Sequence, residues 1–339
     1  MCILQKMTYS IAFHSYKGGT GKTTIASNLS AFLAKEGYSV CLLDLDIYAP
    51  SLQTYFEITP KKWINDYLYG DAKFDDVITD ISSLIFKEKE DGDKSLSKGK
   101  LFVGLCASRK EDFIKLEGGN SDFRKQLFHK LIMFREKLIE TYDPDFIIID
   151  TSPGVRYWSL NALALADVFF LTLKMGDIDI EGTKKMVNEI YHSFTTYGSK
   201  SFLIWNKVAG YCMPNTNKRK NVGNNRLELN DVNIISRTNK KDVSLSLLSE
   251  GNKKQQQQQQ QQELQELQAE DQKREQIDTE DKLSKEVGMK VISTIPCYCD
   301  IQFSKKEFLT AVQILHPFSE RIESLATLMQ QELQDKDSE

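Results

Sequence analysis

The sequence predicts an α/β fold, a doubly wound and mostly parallel sheet with helices on both faces. Short apolar runs rich in β-branched and aromatic residues recur along the 339-residue chain, and most are continuous rather than alternating. Continuous apolar runs are typical of strands that are covered on both faces. Stretches with helical spacing lie between these runs, and this alternation favours a parallel sheet. The hydrophobic content of 40% is sufficient for a sizeable core.

The predicted strands and helices follow one another along the chain. The strands are residues 9–14, 40–45, 101–105, 146–150, 168–173, 202–206 and 291–295. The helices are residues 22–36, 122–140, 159–166, 182–194 and 319–332. The helix at 22–36 has the clearest pattern, because its apolar residues recur at spacings of three and four and Gly37 follows as a typical helix-ending residue.

Two polar segments interrupt the alternation of strands and helices. Residues 87–100 are predicted to form a surface loop, and residues 212–286 contain an Asn/Lys-rich stretch followed by a glutamine tract at 255–262. Because the longer segment has too few apolar residues to bury a core, we expect it to be disordered or a solvated helix. A coiled coil that starts at Leu264 and Leu267 is the alternative, although no heptad pattern continues beyond them.

The expected domain organisation follows from where the strand and helix pattern stops and resumes. Residues 8–211 and 287–335 are predicted to form a single domain, and residues 212–286 are a flexible insertion within it. Residues 1–7 and 336–339 are predicted tails.

The charge of the chain does not by itself indicate a nucleic-acid partner. The net charge is −4, so the surface as a whole is not built to neutralise phosphates. Basic clusters at residues 218–220 and 240–241 leave DNA binding open, although a solvated charge run is the commoner explanation for such clusters.

The sequence favours a protein of the cytoplasm without a stable membrane anchor. No run of 18 apolar residues is present, residues 1–10 do not resemble a secretory signal, and residues 330–339 are polar and acidic. The six cysteines include no C-x-x-C pair, which is typical of a reduced intracellular chain. The spaced pair Cys297 and Cys299 is compatible with half of a shared metal or cluster site, but two small residues after a strand are the simpler explanation.

A glycine-rich segment between the first strand and the first helix is the strongest chemical signal. It reads SYKGGTGKTT over residues 15–24. Glycines let backbone N–H groups turn inward around phosphate oxygens, and the helix N-terminus and Lys22 add positive charge. Thr23 is placed to bring its hydroxyl to Mg²⁺. The general pattern G-x-x-x-x-G-K-[ST] is not met, because Tyr16 stands where its first glycine belongs.

The segment instead resembles the deviant Walker A motif K-G-G-x-G-K-[ST] of the ParA/MinD superfamily of ATPases. The resemblance implies that ATP with Mg²⁺ is bound and hydrolysed. It also implies that Lys17 is the signature lysine, which reaches the phosphates of the partner subunit in an ATP-dependent homodimer. The implied nucleotide-binding residues of this loop are Lys17, Gly18, Gly19, Thr20, Gly21, Lys22, Thr23 and Thr24.

Two further apolar strands end in carboxylates that resemble motifs of the same superfamily. Asp44 and Asp46 end the strand at 40–45 in a D-x-D pattern, which implies that Asp46 orients the attacking water. Asp44 is then its neighbour in the second shell of the metal. Asp150, at the end of the strand at 146–150, resembles the Walker B aspartate that holds Mg²⁺ through water. Gly154 is implied to offer its N–H to the γ-phosphate and to move after hydrolysis.

The resemblance extends to residues that contact the base. Asn206 and Lys207 are similar to the adenine-contacting Asn-Lys of the superfamily, and Pro296 to the proline that packs on the base. Cys297 and Tyr298 follow where the superfamily has Tyr-Asp, so no base contact is expected from their side chains. The resemblance covers about residues 8–211 and 287–335.

The expected function is a slow ATP-driven switch that positions or regulates a protein or DNA cargo under an unidentified activator. The first alternative is an iron–sulfur cluster carrier similar to Mrp/Nbp35, suggested by the sequence DIYAPS at residues 46–51. Such carriers use a C-x-x-C pair, whereas this chain has only Cys297-x-Cys299. The second alternative is an ATP-dependent biosynthetic ligase or amidase on the same scaffold, although no Cys-His-Glu glutaminase is visible.

Overall fold

The computed structural model describes residues 7–86, 99–196, 198–208, 274, 276–298, 301 and 316–336. The chain divides into two units: Met1–Met213 with Ser284–Glu339, and Pro214–Leu283. Of the second unit, residues 274 and 276–283 are described and are helical. Most of the predicted loop at 87–100, most of the predicted insertion, the basic clusters, Leu264, Leu267 and Cys299 lie outside the described residues.

The first unit contains one sheet of eight strands. The strands are β1 (Tyr9–His14), β2 (Ser39–Leu45), β3 (Ile78–Asp80), β4 (Lys100–Gly104), β5 (Phe146–Thr151), β6 (Val168–Lys174), β7 (Lys200–Val208) and β8 (Val291–Pro296). Their order is β3-β4-β2-β5-β1-β6-β7-β8, and every neighbouring pair is parallel except β3 with β4. The predicted fold class is therefore confirmed.

The helices connect these strands. They are α1 (Lys22–Lys35), α2 (Leu52–Phe56), α3 (Ile64–Tyr69), α4 (Ser82–Ile85), α5 (Lys110–Gly118), α6 (Ser121–Tyr142), α7 (Tyr157–Leu163), α8 (Asp177–Met186), α9 (His192–Thr196) and α10 (Pro317–Lys336). A π-helical turn, Val187–Tyr191, joins α8 to α9, and residues 276–287 are also helical. None of the helices in the described part of the chain has the length and apolar content needed to cross a membrane.

Several predicted bounds differ from the structure for identifiable reasons. The predicted helix at 182–194 is part of a longer helical stretch that begins at Asp177, where two acidic residues occupy its first turn. The predicted helix at 159–166 spans Tyr157–Leu163 instead, and a turn follows it. The sequence did not predict β3 or α2–α5, because three to nine residues are too short to show a periodic pattern.

Helices cover both faces of the sheet at its centre. Ile147, Ile148 and Ile149 of β5 are all buried, although neighbouring side chains of a strand point to opposite faces. Ile148 belongs to a core cluster with residues of α1, which packs on β1, β2, β4 and β5. Helix α7 also packs on β1 and β5. Burial on both faces explains why the strand sequences are continuously apolar.

Phe134 of α6 tests this packing, because it is fully buried against Tyr67 and Phe74. We predict that Phe134→Ala lowers the free energy of unfolding by about 3–5 kcal/mol, through lost apolar burial and the cavity left behind. Urea denaturation followed by circular dichroism measures the change. Met133→Ala is the matched control, since Met133 is 51% exposed on the same helix. Equal losses for both variants would contradict the described orientation of α6.

Candidate nucleotide-binding site

The glycine-rich loop lies at the carboxyl end of the central strands. β1 ends at His14 and α1 begins at Lys22, so residues 15–21 form the loop. β1 pairs with β5 on one side and with β6 on the other. From β1 the chain first runs to β2, on the β5 side of β1, and it later adds β6 on the other side. In open α/β sheets, ligands bind in the crevice at such a switch point.

Two glycines give the loop a backbone that other residues would not adopt easily. Gly19 has a φ of 75° and Gly21 a φ of 95°, both in the left-handed region. A Cβ at Gly21 would also collide with the side-chain amide of Asn206. The sequence therefore needs glycine at position 21 for both conformation and space.

Lys22 brings a buried positive charge to this loop. Its side chain is 6% exposed, and its Nζ donates to Ser15 Oγ at 3.0 Å. Burial lowers the pKa of Lys22, while the carboxylates of Asp150 and Asp46 act in the opposite direction. The described residues offer this ammonium no direct ion pair. A buried ammonium at a helix N-terminus fits an anion such as a phosphate.

Asp150 and Thr23 form an oxygen-rich corner beside Lys22. Thr23 Oγ1 donates to Asp150 Oδ2 at 2.5 Å, and Ser51 Oγ lies 3.3 Å from Thr23 Oγ1. Asp150 is fully buried, and its Oδ1 has no hydrogen-bond partner among the described residues. Burial raises the pKa of Asp150 to about 6, and Lys22 and Thr23 partly offset this effect. An unpartnered carboxylate oxygen beside a hydroxyl fits Mg²⁺, which prefers oxygen ligands.

Asp44 holds the loop that follows β2. It lies in register with Asp150 in the sheet and is fully buried. Its carboxylate accepts from the backbone N–H groups of Asp46 at 3.0 Å and of Ser51 and Leu52 at 3.1 Å. Burial and then the charge of Asp150 raise the pKa of Asp44, whereas the N–H groups of Leu52 and Asp46 lower it. Asp44 therefore positions the neighbouring oxygens rather than presenting its own.

Asp46 joins the loops that follow β2 and β5. Its Oδ1 accepts from Ser152 Oγ at 2.7 Å and from the backbone N–H of Ala49 at 3.0 Å. Trp158 provides a second link, because its Nε1 donates to the carbonyl of Leu45 at 3.0 Å. No role was predicted from the sequence for Ser152, which stands between Asp150 and Gly154, or for Trp158, which lies outside the motifs.

Gly154 lies close to the glycine-rich loop, but its N–H is already used. It donates to the carbonyl of Ser15 at 2.8 Å, and Gly154 has a φ of 78°. A γ-phosphate can accept this N–H only after the bond to Ser15 opens. The contact therefore couples the loop after β5 to the phosphate loop.

Lys17 is paired within its own chain. Its Nζ lies 3.2 Å from Asp179 Oδ1 of α8, and Lys174 Nζ lies 3.9 Å from the other oxygen of the same carboxylate. The ring of Tyr16 packs so closely on Gly182 of α8 that a Cβ there would collide with it. Tyr16, which stands at the first glycine position of the general pattern, thus packs the glycine-rich loop against α8.

Asn206 and Lys207 contact the backbone of the glycine-rich loop. Asn206 Nδ2 donates to the carbonyl of Thr20 at 2.7 Å, and Lys207 Nζ donates to the carbonyl of Gly19 at 2.9 Å. Lys207 has a φ of 57°, an uncommon conformation for this residue. The two side chains therefore brace the loop.

A cavity of about 100 Å³ lies beside these two residues. It is lined by Gly21, Thr24, Ile25, Asn206, Lys207, Ile295, Pro296, Tyr298, Ile301 and Phe318. Pro296 lies there as the sequence suggested. No contact was expected from Tyr298, yet the structure places it at the cavity together with Phe318 at the start of α10. Apolar walls with a few polar groups are typical of a site for a base.

Comparisons with known proteins show which family and fold the chain shares. Residues 8–200 match the AAA_31 family, described as an AAA domain. An uncharacterized ATP-binding protein of Methanocaldococcus jannaschii is 36% identical over 92 residues, which are 24% of this chain and 34% of that protein. An iron–sulfur cluster carrier protein of Pyrococcus furiosus is 52% identical over 54 residues, which are 16% of this chain and 18% of that protein. The matched regions thus span little more than a third of the first relative and less than a fifth of the second.

A solved structure shows the same fold over nearly the whole chain. It is the septum site-determining protein MinD of Pyrococcus horikoshii complexed with Mg-ADP. The TM-score is 0.58 with 17% sequence identity, and the match covers 97% of this chain and 99% of that chain. At this identity the similarity concerns the fold.

The loop geometry predicts that Gly21→Ala weakens the affinity for ATP at least about tenfold. Left-handed strain costs about 1–2 kcal/mol and the added Cβ displaces Asn206. Isothermal titration calorimetry with a non-hydrolysable ATP analogue measures the affinity. Gly118→Ala is the matched control, because nothing lies within 4 Å of the Cβ it would add. Unchanged affinity in a folded Gly21→Ala protein would count against the loop as the phosphate site.

Proposed function

The chain belongs to the AAA_31 family of AAA domains, of the ParA/MinD type, and we propose that it is a slowly hydrolysing, ATP-dependent molecular switch. One observation carries this proposal. A buried ammonium, Lys22, lies near a buried carboxylate, Asp150, one oxygen of which has no hydrogen-bond partner among the described residues. The two opposite charges partly offset the cost of their burial, and a bound phosphate and a bound cation would complete their interactions.

The loop and its neighbours would hold ATP and Mg²⁺ in separate parts of the site. The backbone N–H groups of residues 18–24 and the Nζ of Lys22 would bind the phosphates. Thr23 and Asp150 would hold Mg²⁺, with Asp150 acting through water, and the ion would supply charge stabilisation when bound. Asn206, Lys207 and Pro296 would place the base in the adjacent cavity, with Tyr298 and Phe318.

Asp46 is the residue that we propose orients the attacking water. Both hydrogen bonds that its carboxylate accepts from described residues, Ser152 and Ala49, go to Oδ1. Its Oδ2 therefore remains to accept a hydrogen bond from a water molecule. Phosphoryl transfer to water needs positioning and charge stabilisation more than covalent chemistry, which this arrangement would supply.

The switch would operate as an ATP-dependent homodimer. Lys17 must leave Asp179 before it can reach the phosphates of a second copy, so dimerisation would compete with the internal ion pair. Apolar side chains at Val155, Met175 and Ile178 are 52%, 51% and 73% exposed and follow β5 and β6 at the edge that carries the loop. Exposed apolar residues grouped on one edge are typical of an interaction surface.

The dimer would position or regulate a cargo, which is a protein or DNA, under an activating partner. The iron–sulfur carrier alternative rests on the sequence DIYAPS at residues 46–51 and on short matches to such carriers, which cover 16% to 21% of this chain. The ligase or amidase alternative is supported by no contact in the described residues.

Loss of the Asp46 carboxylate is predicted to trap the ATP-bound dimer, because hydrolysis would stop while nucleotide binding remains. Asp46→Ala with ATP and Mg²⁺ should therefore have twice the monomer mass by light scattering, and with ADP it should be monomeric. Adding Lys17→Ala to this variant is expected to restore the monomer, since the lysine in trans would be missing. A monomer for Asp46→Ala with ATP would refute the dimeric switch.

The domain organisation is also a proposal, in which residues 212–286 are inserted into one ATPase domain. Deletion of residues 213–285 should leave nucleotide affinity within about twofold of the full chain, because every site residue lies outside the deleted segment. Calorimetry with ADP and Mg²⁺ tests this, with a thermal melt as the folding control. An unfolded deletion variant would mean that the segment is structural.

A further inference from the structure

A second cavity lies beside the loops that follow β2 and β5. Its volume is about 200 Å³, and helices α5, α6 and α7 form its other walls. It is lined by Tyr48, Leu116, Glu117, Arg124, Arg156, Tyr157 and Trp158. Apart from Tyr48, which belongs to the sequence DIYAPS, none of these residues was assigned to a motif in the sequence.

Tyr48 is fixed between a second ring and a guanidinium group. The ring of Phe113 on α5 is nearly parallel to it, at 5° with centroids 5.4 Å apart. The Cζ of Arg156 lies 3.9 Å from the centroid of Tyr48. Because a stacked ring occupies one face of the tyrosine, the guanidinium lies over the other. Tyr48 therefore forms a rigid wall that presents Arg156 to the cavity.

Arg124 places a second guanidinium at the same cavity. Its Cζ lies 5.2 Å from the ring of Tyr157, and its terminal nitrogen donates to the carbonyl of Glu117 at 2.9 Å. Its Nε is buried and has no hydrogen-bond partner among the described residues. A buried guanidinium nitrogen without an acceptor is costly, and an incoming oxygen would satisfy it.

Glu117 supplies the one carboxylate among the described residues that line the cavity, and its ion pair with Arg156 is weak. Glu117 Oε1 lies 3.3 Å from the terminal nitrogen of Arg156, and the side chains of Glu117 and Arg156 are 63% and 48% exposed. Exposed ion pairs of this kind contribute little stability. The two arginines exceed the single glutamate in charge, so the cavity favours an anion that can replace or join Glu117.

We propose that this cavity binds a ligand carboxylate, which pairs with Arg124 and Arg156 in place of Glu117. The planar guanidinium presents parallel N–H donors that match the two oxygens of a carboxylate. Glu117 already shows that a carboxylate fits beside Arg156, and a ligand carboxylate that displaces Glu117 would form the same kind of ion pair. The carboxylate belongs to a small free acid or to an acidic side chain of a protein segment.

The position of the cavity gives such a ligand access to the switch. Tyr48 lies two residues beyond Asp46, and Arg156 lies two residues beyond Gly154. A carboxylate that bridges Arg156 to α6 would therefore restrain both loops. This regulatory consequence rests on the proposed ATPase function, but the binding of the carboxylate does not.

Calorimetry on the full chain tests the binding, with saturating ADP and Mg²⁺ present so that the phosphate loop is occupied. The probes are glutarate and the blocked peptide acetyl-Ala-Glu-Leu-Glu-Ala-amide, with the Gln-for-Glu peptide as control. We expect glutarate or the Glu peptide to bind and the Gln peptide not to bind. Binding of glutarate indicates a free acid, and binding of the Glu peptide alone indicates a protein segment.

Variants connect the binding to the two arginines. Arg156→Gln and Arg124→Gln should each weaken binding at least about tenfold. Lys125→Gln is the matched control, because Lys125 is an exposed cation next to Arg124 on α6, and it should leave the affinity unchanged. If Arg156→Gln fails to fold by circular dichroism, Arg124→Gln and Arg156→Lys decide the outcome.

Two results would overturn the proposal. The first is no binding of either acid up to about 10 mM, and the second is binding that survives in the folded arginine variants. The ATP hydrolysis rate with and without the bound acid is measured separately. An absent ATPase activity with intact carboxylate binding would contradict the proposed switch and leave the cavity assignment in place.

Discussion

Parallel pairing of β5 between β1 and β2 is the constraint on which the rest of the site depends. Phe13 of β1 and Asp44 of β2 both lie in register with Asp150. This register brings the glycine-rich loop, the D-x-D carboxylates and Asp150 to the same edge, although the chain separates them widely. Because β5 is covered on both faces, Asp150 is removed from water and its pKa rises to about 6. The packing that stabilises the sheet therefore removes the carboxylate of Asp150 from water, where a bound cation would offset its charge.

The polar groups around Asp150 differ in how completely their hydrogen-bonding capacity is used. Asp44 is satisfied by three backbone N–H groups, and it fixes the loop that carries Asp46. Within the described residues, Asp150 retains an oxygen without a hydrogen-bond partner, and the ammonium of Lys22 has only the hydroxyl of Ser15 as a partner. The unsatisfied groups, on Asp150 and Lys22, lie where a cation and a phosphate would bind. The satisfied carboxylate of Asp44 instead positions the loop that follows β2.

The sequence predicted the parts of the structure in which local pattern and burial agree. Continuous apolar runs identified the strands that flank β1, and the loop motif identified Lys22 and Thr23. Short helices such as α3 and the edge strand β3 were not predicted, because a few residues show no period. The contact of Lys17 with Asp179 and the bond from Asn206 to Thr20 were not predictable either. They join side chains and backbone of elements that only the folded sheet brings together.

The central claim is that one nucleotide site combines the buried charge of Lys22 with a cation held at Asp150 and Thr23. Titration of the full chain with ADP, in Mg²⁺ and in excess EDTA, tests this claim most directly. The account predicts that Mg²⁺ strengthens ADP binding at least about tenfold and that Asp150→Asn, which removes the charge at nearly constant shape, abolishes the difference. Equal affinities with Mg²⁺ and EDTA in the unmodified protein, or no ADP binding at all, would contradict it.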